Sequence, residues 1–374
     1  MNIYIDEIIG NDKVKKILSG MIENNNSIPH ALLFSGAEGV GKESCALSFT
    51  KAINLLNPQI SDIAKIQPQI ENLSEPYIKY ILPLPRGKNE NDQNTPYEKL
   101  DLDDLEYIKS EIKKKSENSF YKIVIPRANT IKISSIRDIN KFLSMNYDDI
   151  NFRVIIISQA DLMNEESQNA LLKNLEEPPK GVIFILCTAF PEKLRETIRS
   201  RCWKINFQPL TNHELTSILI VKFRLNKSIV SEVVPFSFGS VQNAITLIEN
   251  DFEELREKTI RILRYSFAKK YQSALIEFEE MLSDSDITKI KLIIRMILLW
   301  LNDFQKYRLS SYSELFYSKH IETFEKFNAK FPFVYLSDVT NNIDKISSSF
   351  KNNININLAV SYMIFQLASL TTPR

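Results

Sequence analysis

Short apolar runs separated by an amphipathic stretch mark the middle of the chain. Val154 to Ile157 and Val182 to Leu186 are rich in β-branched residues, and a similar run lies at Ala31 to Phe34. Such runs are typical of strands covered on both faces of a parallel sheet. Between the first two runs, Glu165 to Leu175 has helical spacing, and Pro178-Pro179 ends the helix because proline lacks an amide donor. The pattern therefore predicts a βαβ unit within an α/β fold.

Helical periodicity alone continues beyond Pro209. Thr211 and Glu214 have the spacing of a capping box, which marks the start of a helix. No further strand-like run occurs, and the last helical stretch is Asn355 to Leu370. Aromatic residues in this region recur at helical spacing, which favours packing in a core or between subunits over stacking on bases. The C-terminal part is therefore predicted to be all-α.

Three domains are predicted from these changes in pattern, because 374 residues exceed one ordinary hydrophobic core. We assign residues 1–208 to an α/β domain, 209–252 to a small helical domain and 253–374 to a larger helical domain that oligomerises. Residues 57–119 contain many prolines, asparagines and charges, so a surface insertion is predicted there. The lysine run Lys113 to Lys115 near its end is interpreted as a solvated helix end.

Charge and cysteine content exclude several classes of protein. Lys+Arg 47 against Asp+Glu 46 gives a formal net charge of +1, so the overall charge does not indicate a nucleic-acid partner. Cys45, Cys187 and Cys202 are widely spaced, which argues against a disulfide framework and against zinc. The longest apolar stretch, Met296 to Leu301, is too short to span a bilayer, and the acidic N-terminus lacks a signal-peptide pattern. We expect a cytoplasmic protein with no metal site and no membrane partner.

A glycine-rich loop joins the first apolar run to a predicted helix that ends at Leu55. The loop, Gly36 to Ser44, reads GAEGVGKES and contains three of the eight glycines in the chain. Its candidate nucleotide-binding residues are Gly36, Gly39, Gly41, Lys42, Glu43 and Ser44. A strand, a glycine loop and a helix start are the context of a phosphate loop, where backbone amides, the helix dipole and a lysine meet the phosphates. A phosphate loop is therefore predicted, with a plain turn as the alternative.

One position in this loop argues against catalysis. Active phosphate loops carry Ser or Thr after the lysine, whose hydroxyl binds magnesium, whereas this chain has Glu43. Ser44 lies about 100° further round the helix and cannot replace that hydroxyl. A carboxylate here would repel the phosphates or bind the metal in an unusual way. No cofactor is therefore expected to be required, while binding of ATP or ADP with Mg²⁺ stays open.

Several sequence motifs occur together in the order of one family. They are Ile8-Ile9-Gly10, HALLFSGAEGVGK, NALLKNLEEPP, FPEKL, Ser200-Arg201-Cys202 and the tail NINLAVSYMIFQLASL. With them the chain resembles the AAA+ subunits of bacterial DNA polymerase III clamp loaders, most closely the delta-prime class. The resemblance covers nearly all of the chain except residues 57–119. It implies an AAA+ P-loop domain with a parallel sheet, a small helical lid and a C-terminal helical collar that holds the subunits together.

The resemblance also implies which catalytic parts the chain has lost. Motor subunits carry an Asp-Glu pair that holds magnesium and orients water, and this chain has Ser158 and Gln159 there. The residue expected to sense the γ-phosphate is Ala189, with Thr188 as the alternative alignment, and the lid arginine is replaced by Gln242. These losses predict that the chain does not hydrolyse ATP by itself.

One catalytic part is retained, because Arg201 stands in the Ser-Arg-Cys motif. In this family the arginine reaches the ATP site of the neighbouring subunit and stabilises charge on the γ-phosphoryl group in trans. The alternative is that Arg201 only pairs with a local carboxylate such as Glu196. The motif favours the first interpretation.

Basic residues give a weaker indication of contact with DNA. Lys132, Arg137 and Lys173 are candidates for contacts with the template backbone in the assembled complex, because phosphate contacts require only positioned cations. A solvated role for each of them is the alternative.

The resemblance as a whole implies a non-hydrolysing stator subunit of the clamp loader, a subunit of the polymerase holoenzyme and not an enzyme on its own. Its partners would be the motor gamma or tau subunits and delta, with the sliding clamp and primed-template DNA reached through the complex. One alternative is an active motor ATPase of the same family. Another is a helical scaffold with a relic nucleotide domain.

Overall fold

Two compact units make up the chain in a computed structural model. One comprises residues 1–230 with 238–242, and the other comprises residues 231–237 with 243–374. The structure describes residues 3–23, 28–55, 63–144, 150–283, 287–309, 315–349 and 355–371. The first unit contains all the strands of the described residues, and the second is helical. The prediction of an α/β part followed by an all-α part is therefore confirmed.

A five-stranded parallel sheet forms the centre of the first unit. Its strands are β1 (Ala31–Ser35), β2 (Ile78–Ile81), β3 (Arg153–Ile157), β4 (Val182–Thr188) and β5 (Trp203–Asn206). Their order is β2-β3-β4-β1-β5, and every neighbouring pair is parallel. The predicted βαβ unit is present, because β3 and β4 are adjacent and parallel. The carboxyl ends of β1, β3 and β4 meet at one edge of the sheet, where the glycine loop begins.

Alternate side chains of each central strand enter two separate cores. Leu32 and Phe34 of β1 pack on one face together with Val154 and Ile156 of β3. Their neighbours along the strands, such as Leu33, pack on the opposite face. Because both faces are covered, the strands are apolar at nearly every position, which is the pattern seen in the sequence.

Helices cover both faces of this sheet. They are α1 (Ile3–Asp6), α2 (Asp12–Glu23), α3 (Lys42–Leu55), α4 (Ile63–Glu71), α5 (Leu102–Glu117), α6 (Ile133–Ser144), α7 (Glu165–Glu176) and α8 (Glu196–Arg199). Helix α9 (Asn212–Phe223) follows in the first unit, and α10 (Lys227–Val233) and α11 (Val241–Glu249) each have residues in both units. The predicted capping box starts α9, since the Thr211 side chain accepts from the Glu214 amide and Glu214 accepts from the Thr211 amide. Asn164 caps α7 in a similar way by accepting from the Ser167 amide.

The segment predicted as a surface insertion contributes to the sheet instead. Strand β2 pairs with β3, with Ile78 opposite Val154, and all four of its residues are buried. Lys79 interrupts the apolar pattern of β2. It can be buried there because its ammonium group is neutralised by the carboxylates of Glu75 and Asp138, each at 2.6 Å. The prediction is therefore wrong for β2, and residues 57–62 lie outside the described part. The sequence also predicts regular structure at Tyr121 to Ile125, but these residues form neither helix nor strand.

The second unit is built from long helices around an aromatic core. They are α12 (Phe252–Phe267), α13 (Tyr271–Ser283), α14 (Ile287–Arg308), α15 (Ile321–Lys330), α16 (Ser337–Ser349) and α17 (Ile356–Ser369). The ring of Trp300 packs against Phe304 at 5.6 Å and against Phe324 at 5.1 Å. The aromatic residues of this region therefore pack in a core, as predicted. Helices α12 and α13 are separated where Lys269 adopts a left-handed conformation, with φ +57°.

The two compact units are a coarser division than the three predicted domains, whose boundaries stay a prediction. Residues 209–252, predicted as a separate helical lid, are divided between the two units. Residues 238–242 belong to the first unit because Leu210 donates from its amide to Gly239 and Val241 donates to Gly39. None of the described helices is long and apolar enough to cross a membrane.

Candidate functional site

Backbone carbonyls of the glycine loop after β1 accept the hydrogen bonds of the loop's own lysine. Lys42, the first residue of α3, donates from Nζ to the carbonyl oxygens of Gly36 at 2.7 Å and Ala37 at 2.6 Å. Burial lowers the pKa of the Lys42 ammonium. Gly39 has φ +74°, and a Cβ at this position would lie 2.3 Å from Ser240 Oγ, so the loop requires glycine here. The charge expected to meet phosphates is thus held by backbone carbonyls.

Glu43 lies at the centre of a polar network directly after this lysine. Its carboxylate pairs with Lys115 Nζ at 2.6 Å and accepts hydrogen bonds from the Tyr80 hydroxyl at 2.8 Å and from the Ser158 hydroxyl. Burial alone would raise the pKa of Glu43, but the ammonium and the hydroxyl donors outweigh it and lower the pKa to about 2. Glu43 is therefore ionised at neutral pH, and its charge is balanced inside the protein by Lys115.

Two members of this network come from the segment assigned to an insertion. Tyr80 lies on β2, and Lys115 lies in the last turn of α5 with its side chain buried. The interpretation of the lysine run as a solvated helix end is therefore wrong for its third residue. A signal was present in the sequence, because Ile108, Glu111 and Lys115 have the spacing of one helix face, and all three are buried.

The segment that follows α5, Ser119 to Ile123, covers the loop. The hydroxyls of Ser119 and Ser44 lie 2.7 Å apart, so Ser44 is also engaged within the protein. The ring of Phe120 lies over the loop, where a Cβ at Gly41 would be 3.1 Å from Phe120 Cε1. The cavity that remains has a volume of about 100 Å³. Small-molecule sites commonly measure roughly 300–1,000 Å³, so this cavity is small for a nucleotide.

The structure brings the predicted cis positions together around this cavity. It is lined by Gly39, Gly41, Lys42, Glu43, Ser44, Ser158, Gln159, Ala189 and Gln242. The alternative γ-phosphate sensor, Thr188 at the end of β4, donates from its hydroxyl to Asp161 Oδ1 at 2.6 Å. The predicted positions therefore lie around one cavity, and sequence reasoning did not find Lys115, Tyr80 or the covering segment.

These residues do not fit a nucleotide with magnesium. The position of the metal-binding hydroxyl is taken by Glu43, whose charge is already paired with Lys115. A second carboxylate near the metal is missing where Ser158 and Gln159 stand. Glu43, Ser44 and Ser158 are instead bonded to side chains of the protein itself.

Arg201 follows the short helix α8 and does not line the cavity. Its Nη2 pairs with Glu176 Oε1 at 2.7 Å, and its Nη1 donates to the Thr197 carbonyl at 2.8 Å. The local carboxylate is thus Glu176, at the end of α7, and not the Glu196 considered from the sequence. The two side chains are 35% and 50% exposed. An ion pair this exposed contributes about 0–1 kcal/mol, so it holds Arg201 only weakly.

The basic candidates for DNA contact differ in what they bind. Lys132 is ion-paired with Glu90 at 2.7 Å, and both side chains are nearly buried. It is therefore engaged within the protein. Arg137 donates to the Asp92 carbonyl at 2.9 Å, and Lys173 is exposed on α7.

The three cysteines are free and buried. Burial raises the thiol pKa of each, so they are poor thiolate ligands at neutral pH. Among the described residues, no group of three or more His, Cys, Asp or Glu side chains could hold a metal ion.

Comparison with known proteins matches the chain to a family model and to curated relatives. The family model described as DNA polymerase III, delta subunit, matches residues 10–211, just over half of the chain. The chain is 24% identical over 362 residues to the DNA polymerase III delta' subunit of Bacillus subtilis (strain 168), covering 95% of each chain. It is 30% identical over 138 residues to the delta' subunit of Escherichia coli (strain K12), covering 37% of this chain and 41% of the relative.

Relatives with other names match as well. The tau subunit of Bacillus subtilis (strain 168) is 25% identical over 237 residues, or 63% of this chain and 34% of the relative. The chain thus spans about a third of the length of this relative. The family match covers the sheet, the glycine loop and Arg201. The chain therefore belongs to the DNA polymerase III delta subunit family, the AAA+ clamp-loader family that its motifs predicted.

Proposed function

We propose that the chain is a non-hydrolysing, delta-prime-like stator subunit of the clamp loader. In this role it helps the loader place the sliding clamp on primed-template DNA and supplies Arg201 to the ATP site of a neighbouring motor subunit. The observation that carries the proposal is the contrast between two charged groups. Glu43 is locked in an internal ion pair, while Arg201 is held by an exposed one.

The internal pair supports the absence of turnover in the chain itself. Magnesium in a phosphate loop neutralises the phosphates and is held by a hydroxyl. Here the residue at that place is an anion, and its charge is neutralised by Lys115. Ser158 donates its hydroxyl to the same anion, so it neither binds a metal nor activates water. Of the other acidic side chains around the cavity, Asp161 accepts a hydrogen bond from Thr188 and Glu38 pairs with Lys122. In this proposal the chain requires no bound ATP, ADP or Mg²⁺.

The exposed pair supports a role for Arg201 in trans. An arginine finger must leave its own surface and reach a γ-phosphoryl group on a neighbour. Breaking the contact with Glu176 costs about 1 kcal/mol or less. A phosphoryl group carries more charge than one carboxylate and accepts both guanidinium donors, so it competes well for the arginine.

An apolar face on the second unit supports assembly with the gamma or tau and delta subunits. Leu358, Tyr362 and Phe365 are exposed and share one face of α17, at a spacing of four and three residues. Exposed Ile276 lies on α13, and Tyr271 at the start of α13 packs against Phe365 with ring centroids 5.0 Å apart. Contiguous exposed apolar side chains mark interaction surfaces, and we assign this face to the collar.

The test is the ATPase and clamp-loading rate of a reconstituted complex that contains Arg201→Ala. We expect both rates to fall by roughly 10³-fold or more at the neighbouring site, the range found for arginine fingers. Arg195→Ala is the matched control, because Arg195 is an exposed arginine of the same segment that bonds to Asn169. It should leave both rates unchanged.

Two other outcomes would contradict the proposal. Unchanged rates with Arg201→Ala in a fully assembled complex would leave only a scaffolding role. Phosphate release by the isolated chain, stimulated by clamp and primed DNA and abolished by Lys42→Ala, would make the chain a motor ATPase.

A further inference from the structure

A second pocket lies entirely within the helical unit, between α12, α14 and α15. Its volume is about 320 Å³, within the roughly 300–1,000 Å³ of sites that bind small molecules or side chains. Its walls are largely aromatic. Trp300 lies 5.7 Å from both Phe267 and Phe327, and Phe327 lies 5.2 Å from Phe331, measured between ring centroids. These rings pack against one another and form one continuous aromatic wall of the pocket.

Cations surround this aromatic pocket. Arg264, Lys326 and Lys330 line it, and no acidic side chain does so among the described residues. Lys326 pairs with Glu322 at 3.1 Å, but both side chains are about four-fifths exposed, so the pair contributes little. Arg264 and Lys330 lie in the last turns of α12 and α15, where a cation also favours the helix dipole. Interaction with the helix dipole explains why Arg264 and Lys330 are positive. It does not explain the apolar pocket that lies between them.

The chain that leaves the pocket carries two further exposed aromatic residues. Phe331 lines the pocket, and Phe333 and Tyr335 shortly after it are 88% and 69% exposed. The guanidinium of Arg308 donates to two carbonyl oxygens of this segment, at 2.7 and 3.0 Å. The aromatic side chains are therefore presented by a fixed backbone. Exposed aromatic residues beside a preformed pocket are typical of a protein interaction surface.

We propose that this collar pocket, defined by Arg264, Phe267, Trp300, Lys326, Phe327 and Lys330, binds an acidic segment of a partner protein. One bulky apolar side chain of the segment fills the space between the rings. Asp or Glu residues on either side of it pair with the three cations. Charge complementarity selects this partner, because the pocket offers only positive charge around an apolar centre. The proposal concerns the second unit alone and does not depend on Arg201 or on the proposed stator role.

The pocket contains its own reporter. The chain has two tryptophans, of which Trp300 lines the pocket and Trp203 is exposed on β5 in the other unit. Full-length protein with Trp203→Phe therefore reports on the pocket through Trp300 fluorescence. The probe is a synthetic peptide of about 12 residues without tryptophan, in which one Phe is flanked by Glu residues. We expect saturable quenching of Trp300 that weakens as salt is raised.

Charge reversal tests the role of the cations. The paired substitution Arg264→Glu and Lys330→Glu should raise the dissociation constant of the peptide at least about tenfold. Lys345→Glu, on exposed α16, is the matched control and should change it less than about twofold. If the paired variant fails to fold, a peptide with Gln in place of Glu provides the same comparison on unaltered protein. Absence of saturable quenching up to about 1 mM peptide, or equal binding of the acidic and neutral peptides, would overturn the proposal.

Discussion

At the scale of single residues, one substitution changes what the glycine loop can hold. A carboxylate at position 43 needs a positive partner when it is removed from water, because an unpaired buried charge costs several kcal/mol. A catalytic loop has no such charge, because it carries Ser or Thr at this position, whose hydroxyl binds magnesium. Here Lys115 provides the positive partner at 2.6 Å from another helix of the same chain. Glu43 and Lys115 are thus mutually dependent, and each explains the presence of the other.

Removal of Lys115 should therefore destabilise the protein strongly. Lys115→Ala leaves Glu43 charged without its ammonium partner, and we expect the free energy of unfolding to fall by about 3 kcal/mol. Urea titration at neutral pH measures this change. Lys113→Ala, which alters an exposed lysine two residues earlier, should change stability by less than about 0.5 kcal/mol.

A second pair of variants separates pairing from packing. Glu43→Gln combined with Lys115→Met removes both charges while keeping similar volumes, and should recover most of the lost stability. Equal losses for Lys113→Ala and Lys115→Ala would show that the ion pair has no structural role.

The same carboxylate should make stability depend on pH in the acid range. The pKa of Glu43 is about 2 in the folded protein, below its usual value of 4.5. Its contribution is therefore fully present above pH 4.5 and is lost as the pH falls from 4.5 towards 2, because the unfolded chain takes up the proton first. Urea titrations over about pH 6 to 3 should show a shallower loss for Glu43→Gln than for the natural chain. Parallel curves for the two proteins would contradict this assignment.

At the scale of secondary-structure elements, the start of α11 contacts and supports the loop between β1 and α3. Val241, the first residue of α11, donates from its amide to the Gly39 carbonyl at 3.0 Å. Gly39 in turn has no room for a side chain beside Ser240 and the Gln242 amide. The start of α11 is therefore part of the loop's support, although about 200 residues separate them in the chain.

This close approach predicts opposite effects for two Gly→Ala substitutions. Gly39→Ala combines a positive φ with a Cβ 2.7 Å from the Gln242 amide, so it should destabilise the protein by more than about 1 kcal/mol. Gly20→Ala lies within α2, where a Cβ meets nothing within 4 Å, and should stabilise it by about 0.5–1 kcal/mol. Thermal unfolding of both variants measures the difference. A neutral or stabilising Gly39→Ala would show that α11 does not restrain the loop.

Features of the fold and site that depend on neighbouring residues could be predicted from the sequence, whereas contacts between residues far apart in the chain could not. Strands β1, β3 and β4 were predicted because both faces are buried and every position is apolar. Strand β2 was not predicted, because Lys79 breaks its apolar pattern. The carboxylates that allow this lysine to be buried lie outside the strand. The loop, Lys42 and the unusual Glu43 were visible locally. Lys115 was not, because its pairing with Glu43 joins residues 72 positions apart, and local pattern carries no information on such a contact.

At the scale of the whole molecule, the two units carry different parts of the proposed function. The first contains the locked loop and Arg201. The second contains the apolar face of α17 and the collar pocket. If this division is functional, then joining the complex and serving a neighbour's ATP site should be separable properties of one chain.

Truncation at the boundary between the units tests that separation. A fragment of residues 1–242 retains the sheet and the start of α11 that supports the loop, so it should unfold cooperatively in urea. It lacks α13 and α17, and it should therefore fail to join the motor subunits in size-exclusion chromatography. Within the full chain, Leu358→Glu with Phe365→Glu should weaken assembly without unfolding the protein, because both side chains are exposed.

Lys345→Glu is the control for added negative charge on the same unit, and it should assemble normally. A folded 1–242 fragment that still joins the complex would place the assembly surface on the first unit. In that case the apolar face of α17 would need another partner. If the fragment is folded and excluded while the paired variant of the full chain is folded and weakly bound, assembly depends on the α17 face. Arg201 can then act only after that face has docked, because a weakly held arginine reaches a neighbour's site only when the neighbour is positioned beside it.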